Sequence, residues 1–204
     1  MSTRYPIPTA PYRVEEEINR SRFITTLAPA ATVGEAQAFI GSIREEYSDA
    51  THNCWAFLVG PPGTSSQVGM SDDGEPHGTA GRPILNVLSH CSVGDIVAVV
   101  TRYYGGTKLG KGGLVRAYSS GVQLALDGLT TEEKVARTQL SVLIPYSDVK
   151  AFQRLAKLVE AEICEERYEA DATFILGVPE EEVSRFKAEL NDITDGAGII
   201  EEAP

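Results

Sequence analysis

Residues 96–121, IVAVVTRYYGGTKLGKGGLVRAYSSG, decide how this chain folds. The first six form an apolar run rich in β-branched residues, the mark of a strand covered on both faces. Five glycines between Gly105 and Gly113 break the run. From about Gly113 the residues Leu114, Tyr118, Val122, Ala125 and Leu129 recur at helical spacing, and Gly128 can end the helix. A strand, a glycine loop and a helix in that order bring backbone N–H groups together at a helix N-terminus, where anions bind. The only charges between residues 96 and 126 are Arg102, Lys108, Lys111 and Arg116, a cationic island in a 204-residue chain of net charge −11.

Upstream, Tyr12, Val14 and Ile18 alternate with charged residues, and a second extended run begins at Phe23 after Asn19-Arg20-Ser21, which predicts a hairpin. Thr32 and Glu35 form a capping box for a helix carrying Ala36, Phe39, Ile40, Ile43 and Tyr47 on one face. Residues 54–59, CWAFLV, read as a strand buried on both faces and stopped by Gly60-Pro61-Pro62-Gly63. About twenty residues between Gly60 and Gly81 lack periodicity, as functional loops do. A helix with Pro83 in its first turn and Ile84, Leu88 and Cys91 inward leads to the Gly94-Asp95 turn. The order is ββαβ-loop-αβα, ending in a linker at residues 130–134.

Downstream, a strand at Leu140, Val142 and Ile144 precedes a helix capped by Ser147 or Asp148 and bearing Val149, Phe152, Leu155 and Val159. Two extended runs, a helix opened by Pro179 with Val183, Phe186, Leu190 and Ile193 inward, and a short strand near residue 199 complete βαββαβ, the ferredoxin-like pattern. Two domains are expected, residues 1–130 and 135–204. Residues 1–130 carry net charge −2 and residues 131–204 carry −9, so a polyanion would meet the first domain. Three widely spaced cysteines without a Cys-x-x-Cys pair, three prolines in place of a signal peptide's apolar core, and no membrane-spanning run point to a cytoplasmic chain with no membrane partner.

Gly105-x-x-x-x-Gly110-Lys111 nearly spells a nucleoside-triphosphate loop, but Gly112 stands where a hydroxyl would hold Mg²⁺, which argues against NTP hydrolysis. Anion binding by the nest of N–H groups with Lys108, Lys111 and Arg116 stands beside a plainer alternative, a sharp turn with solvated cations. Residues 71–83, SDDGEPHGTAGRP, form a second cluster. Asp72, Asp73, Glu75 and His77 lack EF-hand spacing, so capping, or pairing of Asp72 and Asp73 with Arg82 and Arg102, is expected rather than a metal. A rival reading makes Asp73, Glu75 or His77 the acid or base of a small-molecule enzyme acting on a phosphorylated substrate. His52-x-Cys54 and His90-Cys91 sit in apolar runs and read as packing. Of Tyr103, Tyr104 and Tyr118, the last falls on the inward helical face, leaving Tyr104 the best candidate to stack on bases.

SDDGEPHGTAGRPIL and VVTRYYGGTKLGKGGLVRAYSSG resemble the signature of the YigZ/IMPACT family, and the likeness covers most of residues 15–126. The acidic tail resembles the C-terminal domain of bacterial members, which implies a bacterial source. The resemblance implies an α+β chain whose N-terminal β-sheet carries helices on one face with a left-handed crossover, like domain IV of elongation factor G. The C-terminal domain would resemble that factor's ferredoxin-like domain V. Eukaryotic members of the family regulate translation by competing for an activator of the amino-acid-starvation kinase; bacterial members are thought to touch the ribosome or RNA. The implied functional surface joins Asp72, Asp73, Gly74, Glu75, Thr79, Gly81 and Arg82 to a second set. That set is Arg102, Tyr104, Gly105, Gly106, Lys108, Gly110, Gly112, Gly113 and Arg116, beside Lys111. His77 departs from the pattern, where a small residue is expected. The expected function is a regulator of translation, without cofactor or metal and not an enzyme. It would bind RNA, the ribosome or a translation-associated protein; a protein-binding module with no anion site is a further alternative.

Overall fold

Ile96–Tyr103 is the central strand of a five-stranded antiparallel sheet in the computed structural model, which describes residues 4–63 and 67–202. Ile96, Ala98 and Val100 project to one face and Val97 and Val99 to the other; all five are buried. Both faces must therefore be covered, and the chain supplies a helical layer to each.

The chain divides into two units, Met1–Lys134 and Val135–Pro204. The first runs β1 Arg4–Pro8, β2 Tyr12–Ile18, β3 Ser21–Pro29, α1 Val33–Glu46, β4 His52–Val59, β5 Gln67–Ser71, α2 Gly81–His90, β6 Ile96–Tyr103, α3 Gly110–Asp127 and β7 Thr131–Val135. The sheet order is β2-β3-β6-β4-β5. On one face Ile84 and Leu88 of α2 and Leu114, Tyr118 and Val122 of α3 pack on Phe23, Leu27, Cys54, Ala56 and Val100. On the other, α1 places Ala36, Ile40 and Ile43 against Ala28, Phe57, Val97 and Val99. The α+β class is as expected, but the helices divide between the faces instead of sharing one. The uninterrupted apolar character of β4 and β6 is the physical reason. Helix α1 starts as its capping box predicts: the Thr32 hydroxyl accepts from Glu35 N–H at 3.1 Å and the Glu35 carboxylate from Ala31 N–H at 2.9 Å.

Two segments differ from the sequence reading. Residues 131–134, expected as linker, belong to β7, which pairs with β1 in a two-stranded ribbon that tolerates Pro6 and Pro8. Asp95 fastens this ribbon. Its buried carboxylate accepts from the Tyr5 hydroxyl at 3.0 Å and from Lys134 at 2.5 Å, and also from Gly60 N–H at 2.7 Å. Of the stretch expected as loop, residues 67–71 form β5, an edge strand with mixed exposure, whose weak alternation hid it; residues 64–66 lie outside the described residues.

The second unit comprises β8 Arg137–Ile144, α4 Val149–Leu158, β9 Glu162–Tyr168, β10 Ala172–Pro179, α5 Val183–Ile193 and β11 Ile199–Glu202. Its antiparallel order β11-β8-β10-β9 is that of the ferredoxin-like arrangement. Phe152, Leu155, Phe186 and Leu190 cover Leu140, Val142, Phe174 and Leu176 on one face. No helix among the described residues is long and apolar enough to cross a membrane.

Candidate functional site

The end of β6, the loop after it and the first turn of α3 surround a cleft of about 450 Å³ lined by Glu75, Pro76, Arg102, Tyr104, Lys108, Leu109, Gly110, Lys111 and Leu114. The acidic loop reaches this cleft through Glu75 and Pro76. Asp73 and Gly74 both take positive φ, 43° and 86°, and Glu75 N–H closes the turn on Asp72 C=O at 2.9 Å. This turn drives Glu75 inward.

Glu75 is 7% exposed and Arg102 5%. Arg102 Nη1 donates to Glu75 Oε1 at 2.5 Å, and the Tyr118 hydroxyl donates to the same oxygen at 2.8 Å. Arg102 Nη2 reaches Ser21 Oγ at 3.3 Å, while its guanidinium lies 5.3 Å from the Phe23 ring centre and 5.5 Å from that of Tyr104. His52 Nδ1 lies 2.8 Å from the Asp73 carbonyl, so that nitrogen carries the proton, and Nε2 stands 3.9 Å from Glu75 Oε2. The floor of the cleft is thus a buried, mutually neutralised pair held in a polar network, expensive to break from either side. Burial, then the neighbouring Cys54 and Glu75, pushes the Tyr118 hydroxyl far up; burial likewise raises the Cys54 thiol, which bonds Asp72 C=O at 2.9 Å. Both groups stay protonated, and Cys54 is a packed thiol instead of a nucleophile.

Of the two roles expected for Asp72 and Asp73, capping is found for Asp72, while pairing with Arg82 and Arg102 is not what forms. Asp72 accepts from Gly78 N–H at 2.7 Å, Gly81 N–H at 2.9 Å and Ala80 N–H at 3.0 Å, capping α2 from a distance. Burial works to raise its carboxyl, but the three N–H donors outweigh burial and hold it below the usual carboxylate range. Asp73 accepts from Arg44 at 2.8 Å and from Asn53 N–H at 2.7 Å. Arg102 therefore belongs to Glu75, and Arg82 stays at the exposed edge of a separate depression with Asp72 and His77. The expected pairing fails because the Asp72–Glu75 turn points both aspartates at backbone donors. Thr79 bonds Pro76 C=O at 2.6 Å and is buried.

On the cationic side Lys108 and Lys111 are exposed at the cleft mouth, whereas Arg116 folds back toward Gly112 C=O at 3.3 Å and lines another depression beside Ile18 and Asn19. Helix α3 begins at Gly110, earlier than its apolar pattern shows, so Gly110, Lys111 and Gly112 form its first turn, and no side chain caps it. Gly105 is needed sterically, since a Cβ there would stand 1.8 Å from Arg20 C=O. Of the acid–base candidates, Asp73 is engaged with Arg44, Glu75 is buried against Arg102, and His77 is fully exposed at 3.7 Å from Asp72. They do not converge on one reacting point. Ser21, His52 and Tyr118, absent from the sequence-derived site, complete the floor. A tyrosine on the inward face of α3 was the available signal, because a buried phenol requires a partner.

A family model described as the Impact N-terminal domain matches residues 19–126, and one described as a domain of unknown function (DUF1949) matches residues 142–197. An "IMPACT family member" of Haemophilus influenzae is 43% identical over 97% of this chain and 96% of its own. "IMPACT family member YigZ" of Escherichia coli is 44% identical over 94% of each chain. "IMPACT family member YvyE" of Bacillus subtilis is 36% identical over 91% of this chain and 84% of its own. A solved structure titled "Crystal structure of an hypothetical protein" superposes with a TM-score of 0.73 at 42% identity, covering 100% of this chain and 99% of that one. The shared N-terminal domain that forms the cleft and the near full-length identity to these relatives mean that this chain belongs to the IMPACT family.

Proposed function

We propose that this protein regulates translation by binding RNA of the ribosome through the cleft between β6 and α3. The observation that carries this reading is the first turn of α3, which no side chain caps and which opens between the exposed Lys108 and Lys111. Its free N–H groups and the helix dipole favour an anion, and two lysines add charge at the same mouth. The floor contributes little net charge because Glu75 offsets Arg102. Phosphate is the anion that the setting favours, since RNA presents it repeatedly and lysine-rich mouths meet it by simple charge attraction. The net charge is −9 on residues 131–204 and −2 on residues 1–130, so the first part, which holds the cleft, is the less repulsive to a polyanion. An acid–base enzyme at this site has less support, because Asp73, Glu75 and His77 point to three different partners.

Co-sedimentation with bacterial ribosomes at low and moderate salt tests the proposal. Wild type is expected in the pellet at low salt and progressively less at higher salt, and Lys108→Glu/Lys111→Glu is expected in the supernatant at both. Wild-type protein that stays in the supernatant at low salt overturns it.

A further inference from the structure

We infer that the cleft seats one unstacked nucleotide of a single-stranded RNA, with its phosphate on the first turn of α3 and its base against Tyr104. This inference rests on the RNA-binding reading above and sharpens it to one strand state and one base contact.

Gly112 supplies the first observation. It has ordinary helical backbone, and a Cβ built there meets nothing within 4 Å. Neither strain nor crowding within the described residues requires glycine, although glycine weakens a helix relative to alanine. Gly113, one residue on, differs: its Cβ would stand 2.9 Å from that of Leu109. An unfilled approach to the N–H groups of Gly110 to Gly112 is what a phosphate needs to come within hydrogen-bond distance.

Arg102 supplies the second. Although 5% exposed, it lines the same cleft, and its Nε–H has no hydrogen-bond partner among the described residues. A buried donor of this kind is expensive unless a ligand or water meets it.

Tyr104 supplies the third. It is 44% exposed in a cleft whose floor is buried, and the Arg102 guanidinium, itself over Phe23, supports its ring from 5.5 Å. The Arg102 guanidinium thus neighbours both rings, and of the two only Tyr104 is accessible. A flat base can stack on the accessible Tyr104 ring without a specific hydrogen-bond pattern. Leu109, Leu114 and Pro76 give the cleft an apolar wall, and its volume of about 450 Å³ suits a small ligand the size of a nucleotide. A duplex keeps its bases stacked and paired and cannot offer one to Tyr104; a single strand can.

Fluorescence anisotropy with a labelled eight-nucleotide RNA, a duplex of the same length, and adenosine monophosphate or inorganic phosphate as competitors tests this. Wild type is expected to bind the single strand about tenfold more tightly than the duplex, the scale of one base–aromatic stack. Tyr104→Ala is expected to abolish that preference and leave duplex binding unchanged, while Tyr104→Phe retains it. Gly112→Ala is expected to weaken both RNAs, and the monophosphate to compete more strongly than inorganic phosphate. Thermal unfolding of each variant confirms that it is folded. Equal single-strand and duplex binding, unaffected by Tyr104→Ala, overturns the nucleotide seat and leaves the RNA reading intact. A monophosphate that binds as tightly as the oligonucleotide makes a free nucleotide the ligand and overturns the single-strand assignment. Binding of neither RNA removes both readings.

Discussion

The two glycine-rich loops meet at one cleft and use their charges in opposite ways. In residues 71–83 every carboxylate is consumed by the fold: Asp72 by three backbone N–H groups, Asp73 by Arg44 and Asn53, Glu75 by Arg102 and Tyr118. In residues 104–113 both lysines, Lys108 and Lys111, are exposed, and the helix start at Gly110 has no side-chain cap. Acidic character in one loop is therefore scaffold, and cationic character in the other is exposed, as the proposed RNA contact requires. Substitutions should divide the same way, costing stability in the first loop and binding in the second.

The largest expected effect is at Arg102. Arg102→Met strands the Glu75 carboxylate in a buried site, with an expected loss of about 3–5 kcal/mol in urea denaturation. A loss below about 1 kcal/mol, the scale of an exposed ion pair, would mean that the pair does not hold the floor together. Asp72→Asn comes next. It removes the charge that meets the N–H groups of Gly78 and, at the start of α2, of Ala80 and Gly81, and the expected cost is about 1–2 kcal/mol at neutral pH. Because the folded protein holds this carboxyl below its unfolded value, its contribution is complete above the unfolded value of about 4 and is lost as pH falls through the lower folded value. The wild-type stability curve should therefore fall on its acid side, and Asp72→Asn should flatten that fall. Curves that stay parallel to low pH would show that Asp72 is not the titrating cap.

Much of this division was legible in the residues and some of it was not. The apolar runs of β4 and β6 announce strands buried on both faces, which already contradicts a sheet with helices on one face only. The cationic island at Lys108 and Lys111 is visible because no acid lies near it in the chain. The partners of the carboxylates were hidden, since charge alone offers Arg82 and Arg102 to Asp72 and Asp73, whereas the positive-φ turn at Asp73 and Gly74 decides which acid points inward. Strand β7 was hidden for a similar reason: TEEKV is polar at four of five positions, and its pairing with β1 comes from the ends meeting in space. Arg116 sits in the right stretch yet turns to another depression, because helical periodicity places it on a different side of α3 from Lys111.

Gly112→Ala is expected to have a smaller effect of opposite sign. With open space at its Cβ and helical backbone, alanine should raise stability by about 0.5–1 kcal/mol while RNA binding falls. A variant that loses stability would show a structural need for this glycine and remove it as evidence for a ligand.

Lys111→Glu should change stability least. The residue is exposed in the first turn of α3, where a negative side chain suits the helix dipole, so the expected shift is within about 0.5 kcal/mol and toward greater stability. RNA binding should weaken, and the salt dependence of its logarithm should become shallower by about 0.7 for a single strand, the loss of one phosphate contact. A protein at least as stable yet poorer at binding would separate receptor from scaffold at a single residue. If instead binding falls only as far as folding does, the cationic loop serves the fold as the acidic one does, and the contrast between them disappears.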